Sequence, residues 1–182
     1  AKVAYWKTGH SYMKRRTHEL GALAGFEKSG HFFFNKPFGR GYDDGLLSAI
    51  AICEMLDRAP GKSMADLKND LPKTWSSPTM SPYCADEAKY GVVDQVVKHF
   101  EGLQKRGEKV AGQMVRDLVT VNGVRVTVED GSWGLVRASS NKPELVVVVE
   151  SPVSERRMRD MFEAMDQVLR THPEVGEYNQ KI

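Results

Sequence analysis

Between positions 118 and 150 the chain gives up helical recurrence for short β-rich runs, over 118–121, 124–129, 134–136 and 145–150. Asn122-Gly123 and Asp130-Gly131 join these runs, and such dipeptides supply the positive φ that a tight hairpin requires. An antiparallel sheet follows. On its N-terminal side Val92, Val93, Val96, Val97, Phe100 and Leu103 recur at helical spacing over 86–106, stopped by Gly107. On its C-terminal side Met158, Met161, Phe162, Met165 and Leu169 line one side of a helix expected over 154–171. Those methionines suit core filling against the sheet better than a cofactor box. Helix, strands and helix make a small α+β domain of roughly 100 residues.

The N-terminal part reads differently. A strand is expected over 1–6, a turn at 8–11, a short basic helix over 12–20 ended by Gly21, and a small-residue strand over 22–25. Residues 27–31 interrupt it before Phe32, Phe33 and Phe34, which read as strand core. Asp43 and Asp44 cap a helix whose Leu46, Leu47, Ile50, Ala51, Met55 and Leu56 predict one buried face up to Pro60. Ser63 caps a further helix over 63–71. Helices and strands alternate as in an α/β domain, and the opening without Met or leading segment reads as a chain cut inside it. The segment 72–82, with three prolines among Ser and Thr residues, reads as an interdomain linker. The expected organisation is a partial α/β domain over 1–72, a linker or hinge over 73–84, and an α+β domain over 85–182.

A hydrophobic content of 41% and a charged content of 27% are ordinary for a globular protein, and a net charge of +2 creates no general demand for nucleic acid or an acidic membrane. No apolar run approaches the ~20 residues needed to span a bilayer, and no signal-peptide pattern opens the chain. A soluble, cytoplasmic protein is expected. Cys53 and Cys84 have no metal-ligand spacing and read as buried free thiols. No GxSxG, HExxH, GxxxxGK[ST] or GxGxxG pattern occurs, and no Asp cluster offers a divalent-metal site.

Two short segments carry candidate chemistry. Arg137, Ser139, Ser140 and Asn141, with Lys142 beside them, place a guanidinium fork, two hydroxyls and an amide in one turn between strands. That set suits a phosphate; an ordinary hairpin turn with a solvated Arg fits the same residues. Glu27, Ser29 and His31 alternate, so an extended backbone would project a carboxylate, a hydroxyl and an imidazole to one side, a set suited to vicinal sugar hydroxyls. A polar edge strand is the alternative. His10 follows Gly9 at the end of the first expected strand, where open α/β sheets place ligand groups. Lys14, Arg15 and Arg16 form a basic run, a solvated face or an added positive potential.

Taken together, WKTGHS (6–11), GFEKSGH (25–31), GYDDG (41–45) and GLVRASSNKP (134–143) resemble the α-D-phosphohexomutases, in particular the bacterial phosphomannomutase/phosphoglucomutase branch. The resemblance covers the later part of that family's third domain and all of its fourth, and implies that residues 1–72 are a truncated α/β/α layer. It implies that Glu27 and Ser29 hold hexose hydroxyls, with His31 supporting the loop and His10 near the ligand, and that Arg137, Ser139, Ser140 and Asn141 bind the phosphate not being transferred. The family commonly reads Arg-Ala-Ser-Asn-Thr where this chain has Arg-Ala-Ser-Ser-Asn. The intact enzyme implied is an isomerase that interconverts hexose 1- and 6-phosphates of mannose or glucose through a bisphosphate, using a phosphoserine and Mg²⁺ held by N-terminal domains of the same chain. Neither of those motifs occurs here, so no catalytic or metal-binding residue is assigned, and alone the chain is expected to bind rather than turn over. A non-enzymatic anion- or nucleic-acid-binding module is the other reading; it predicts a basic patch with exposed aromatics, against Val-rich strands and balanced charge.

Overall fold

The computed structural model describes residues 2–182; Ala1, with which the expected first strand opens, lies outside them. Two compact units form, Ala1–Pro72 and Lys73–Ile182.

In the first unit, helix α1 spans His10–Glu19, and strands β1 (Ala24–Phe26) and β2 (Phe32–Phe34) pair antiparallel, with Ala24 opposite Phe34 and Phe26 opposite Phe32. Phe33 is fully buried. Thr17 of α1 is buried too, and its hydroxyl donates to the Met13 carbonyl at 2.8 Å. A Cβ on Gly25 would lie 2.2 Å from that Thr17 Oγ1, so only glycine lets the helix lie this close to the hairpin. Helix α2 spans Gly45–Asp57 and α3 spans Met64–Asn69. Asp44 caps α2 by accepting from the Leu47 N–H at 3.0 Å, and Ser63 forms a reciprocal capping box with Asp66.

Several expectations fail in this unit. Residues 2–6 form no strand, because among the described residues no strand lies beside them to complete a ladder; the Arg16 guanidinium instead sits 4.2 Å from the Trp6 ring centroid. Helix α2 buries none of its residues, and Leu46 is 74% exposed. The periodicity is there, but among the described residues of this unit no layer packs across its apolar stripe. Cys53, on α2, is consequently exposed, while Cys84 is buried as expected.

The second unit is one six-stranded antiparallel sheet in the order β3-β8-β7-β6-β5-β4, with two helices. Its strands are β3 (Trp75–Ser76), β4 (Lys109–Val110), β5 (Gln113–Val119), β6 (Val124–Val128), β7 (Trp133–Ala138) and β8 (Leu145–Ser151); its helices are α4 (Asp86–Arg106) and α5 (Glu155–Leu169). The β-rich pattern located β6 and β8 closely but started β5 too late and made no strand of β3 or β4. Val92, Val96 and Phe100 of α4 meet Val124, Val126, Val136, Val147 and Val149 of the sheet, with Met158, Met161, Met165 and Leu169 of α5, in one core. Each such side chain taken from water contributes about 1.5–3 kcal/mol. Ser154 caps α5, and Gly107 closes α4 in the left-handed conformation. Arg157 ties α5 to two hairpin tips, donating to Asp130 between β6 and β7 at 2.8 Å and to the Ala111 carbonyl between β4 and β5 at 2.8 Å.

The segment expected to be a free linker belongs largely to this sheet. Trp75 pairs with Ser151, the Ser77 N–H donates to the Val149 carbonyl, and Met80 exchanges backbone hydrogen bonds with Val147. Ser77, Met80 and Ser81 are buried. Prolines are tolerated there because an edge strand needs only one side of its ladder. No helix among the described residues is long and apolar enough to cross a membrane.

Candidate functional site

Each unit carries one group of candidate residues. In the first, β1 and β2 are joined by a tight loop rather than by the extended segment expected. The Glu27 N–H donates to the His31 carbonyl and the Gly30 N–H to the Glu27 carbonyl, both at 3.0 Å. Glu27 and His31 therefore face each other across the hairpin base and share one side by cross-strand pairing, not by alternation. Ser29 sits exposed at the tip.

That shared side turns towards the start of α1. Glu27 Oε1 accepts the Gly9 N–H at 2.6 Å, placing a carboxylate at the unsatisfied end of the helix. His10 stands on the first turn of α1, its ring edge-on to buried Phe33 at 4.8 Å and 6.4 Å from the His31 ring. His31 Nδ1 lies 2.7 Å from Asp43 Oδ2, and Asp43 Oδ1 accepts the Phe32 N–H at 3.1 Å. The hydrogen bond with His31 holds the Asp43 carboxyl below the ordinary carboxylate range, against the opposing effect of burial. With Nδ1 engaged, Nε2 is the ring atom left for a ligand. The structure thus gathers His10, Glu27 and His31, and adds Asp43, whose place before α2 suggests helix capping but whose carboxylate meets His31. Asp44 alone does the capping. The signal was in the spacing: two adjacent aspartates precede α2, and one N-cap needs only one.

In the second unit Arg137 is not in a turn but on β7, one residue beyond Val136, which is fully buried against the helices. Alternation puts Arg137 on the opposite sheet face, beside its cross-strand partner Val146. Its guanidinium donates to the Ala138 carbonyl at 3.1 Å. The connection to β8 follows. Ser139 is buried: its N–H donates to the Glu144 carbonyl at 3.0 Å, and its hydroxyl accepts the Asn141 N–H at 3.5 Å. It shapes the turn. Ser140, Asn141 and Lys142 are exposed. A strand-borne guanidinium beside an exposed polar turn can take an anion with paired donors. Among the described residues no group of three or more His, Cys, Asp or Glu side chains is placed to hold a metal ion, so no step here is assigned to one.

Residues 1–75 match the family model described as phosphoglucomutase/phosphomannomutase, alpha/beta/alpha domain III, and residues 84–168 match that family's C-terminal domain. The chain belongs to the phosphoglucomutase/phosphomannomutase family. Among individual relatives, it is 35% identical over 176 residues to a phosphomannomutase/phosphoglucomutase of Pseudomonas putida, a match covering 96% of this chain and 35% of that one. It is 31% identical to a phosphoglucomutase of Neisseria meningitidis, covering 87% of this chain and 32% of the relative. A crystal structure of a phosphoglucomutase/phosphomannomutase family protein from Burkholderia thailandensis superposes with a TM-score of 0.72 at 29% identity, over 91% of this chain and 32% of that one. The chain therefore spans about a third of the length of the curated relatives it matches.

Proposed function

We propose that this chain supplies the substrate-holding part of a hexose-phosphate mutase, with Glu27, Ser29, His31 and His10 addressing the sugar and Arg137, Ser139, Ser140 and Asn141 addressing the phosphate that is not transferred. The observation carrying this reading is the gathering of His10, Glu27 and His31 at the start of α1, with His31 fixed by Asp43. A scattered set would argue against it. The names of the relatives support hexose phosphates as the ligand class.

The contribution to catalysis is orientation. Fixing the ring hydroxyls and the distal phosphate presents the other end of the sugar for transfer and removes the entropic cost of finding that pose. In phosphoryl transfer, positioning and charge stabilisation carry almost all of the effect. Phosphoserine and Mg²⁺ chemistry belongs, on this reading, to other parts of the intact enzyme. A domain boundary at 72/73 completes the proposal, with residues 73–84 counted in the second domain because they pair with β8, as does a cytoplasmic setting, which suits Cys53 and Cys84 as free thiols.

Calorimetric titration of the 182-residue chain with glucose 6-phosphate, mannose 1-phosphate and inorganic phosphate tests the reading. Arg137→Ala removes charge-assisted hydrogen bonds and should weaken binding of all three by roughly 10–100-fold. Unchanged affinity, or binding of oligonucleotides with a steep salt dependence in place of sugar phosphates, refutes it.

A further inference from the structure

Lys89 is the one lysine of α4 that the unit buries, and only 3% of it is exposed. A buried ammonium is costly unless its donors are taken up. Here they are taken up in a particular way. Nζ donates to Asp86 Oδ1 at 2.5 Å and to the backbone carbonyl of Lys142 at 3.0 Å. Lys142 follows directly on Asn141 and closes the exposed turn after Arg137.

The same carbonyl also accepts the Glu144 N–H at 2.8 Å, while the Pro143 carbonyl accepts the Cys84 N–H and the Glu144 carbonyl accepts the Ser139 N–H, both at 3.0 Å. The far side of the turn is thus anchored at three successive carbonyls. Among these anchors only Lys89 is a side chain, and only Lys89 carries a charge, so its bond is the strong one. An apolar residue on this buried face of α4 would fill the space at lower desolvation cost but would leave the Lys142 carbonyl without its ammonium.

We propose that Lys89 is a positioning residue for the 139–142 turn, holding its backbone in an anion-receiving shape before ligand arrives; this rests on the reading that the turn receives phosphate. Pre-ordering of that kind raises affinity by removing the cost of fixing the loop on binding. Lys89 itself does not touch the anion.

The experiment follows inorganic phosphate and glucose 6-phosphate binding to the whole 182-residue chain by NMR, with amide hydrogen exchange at Ser139 and Asn141, whose N–H groups are hydrogen-bonded within the turn, in Lys89→Met, Lys89→Arg and Arg137→Ala. Lys89→Met should lose about tenfold in phosphate affinity and speed exchange at those amides about tenfold, with β6 and β8 still protected. Lys89→Arg, which can still donate to both oxygens, should stay within about threefold of the parent. Parent-like affinity and exchange in Lys89→Met, while Arg137→Ala loses binding, overturns the role of Lys89 and leaves the phosphate reading standing. Unchanged binding in Arg137→Ala overturns the phosphate reading instead, and the exchange rates then decide alone whether Lys89 orders the turn. Should Lys89→Met not fold, the parent's own Lys89 ammonium signal serves: it should shift with phosphate in step with the Ser140 and Asn141 amides, and indifference to phosphate overturns the proposal.

Discussion

Replacing Gly123 with alanine separates two physical costs that usually arrive together. Gly123 has φ +74°, in the left-handed region, and a Cβ there would lie 2.1 Å from the Val136 carbonyl oxygen and 2.8 Å from Arg137 Cα. Those atoms are backbone of β7, so no rotamer change relieves the clash. Left-handed backbone costs a non-glycine residue about 1–2 kcal/mol, and overpacking that must move backbone costs about 1–3 kcal/mol more. The sum, about 2–5 kcal/mol, is a large share of the roughly 5–15 kcal/mol of a typical domain. At about 4 °C per kcal/mol for a unit of this size, Tm should fall by roughly 8–20 °C. Gly112→Ala is the control: φ is +78° but nothing stands within 4 Å of its Cβ, so only the backbone cost applies. Urea denaturation followed by far-UV circular dichroism should therefore place Gly123→Ala about 1–3 kcal/mol below Gly112→Ala. Because the displaced strand carries Arg137, phosphate affinity should fall in the first variant and not in the second. Equal destabilisation, to within about 0.5 kcal/mol, refutes the close-approach argument.

Met161→Ala empties a fully buried position between α5 and the sheet and should cost about 2–5 kcal/mol in the same denaturation assay. The lowered Asp43 carboxyl contributes stability that is complete above its unfolded value of about 3.9 and is lost as pH falls through the lower folded value. Acid titration followed at the Phe32 amide, which donates to the same carboxylate, should show a transition in that window, and Asp43→Asn should abolish it.

How far the sequence reaches can be judged residue by residue. Helices α4 and α5, with their Gly107 and Ser154 ends, and strands β6 and β8 were legible because period and caps are local properties. Strand β3 was not, because an edge strand with prolines looks like a linker until its partner, β8, is known. The α2 stripe was read correctly as apolar, yet burial depends on a neighbouring layer, and period carries no information about one.

The candidate sites divide in the same way. By itself the sequence determined which groups are available, Glu27, Ser29, His31 and His10 in one segment and Arg137 to Asn141 in the other, because chemical inventory and order are written in the chain. Tertiary structure alone decided that Glu27 caps the helix behind Gly9, that Asp43 holds His31, that Ser139 turns inward, and that Lys89 grips the Lys142 carbonyl. Apart from the local bond between Ser139 and Asn141, each of those contacts joins residues brought near only by a hairpin, a helix packing or a strand pairing, and such distances follow from the closed fold rather than from neighbourhood along the chain.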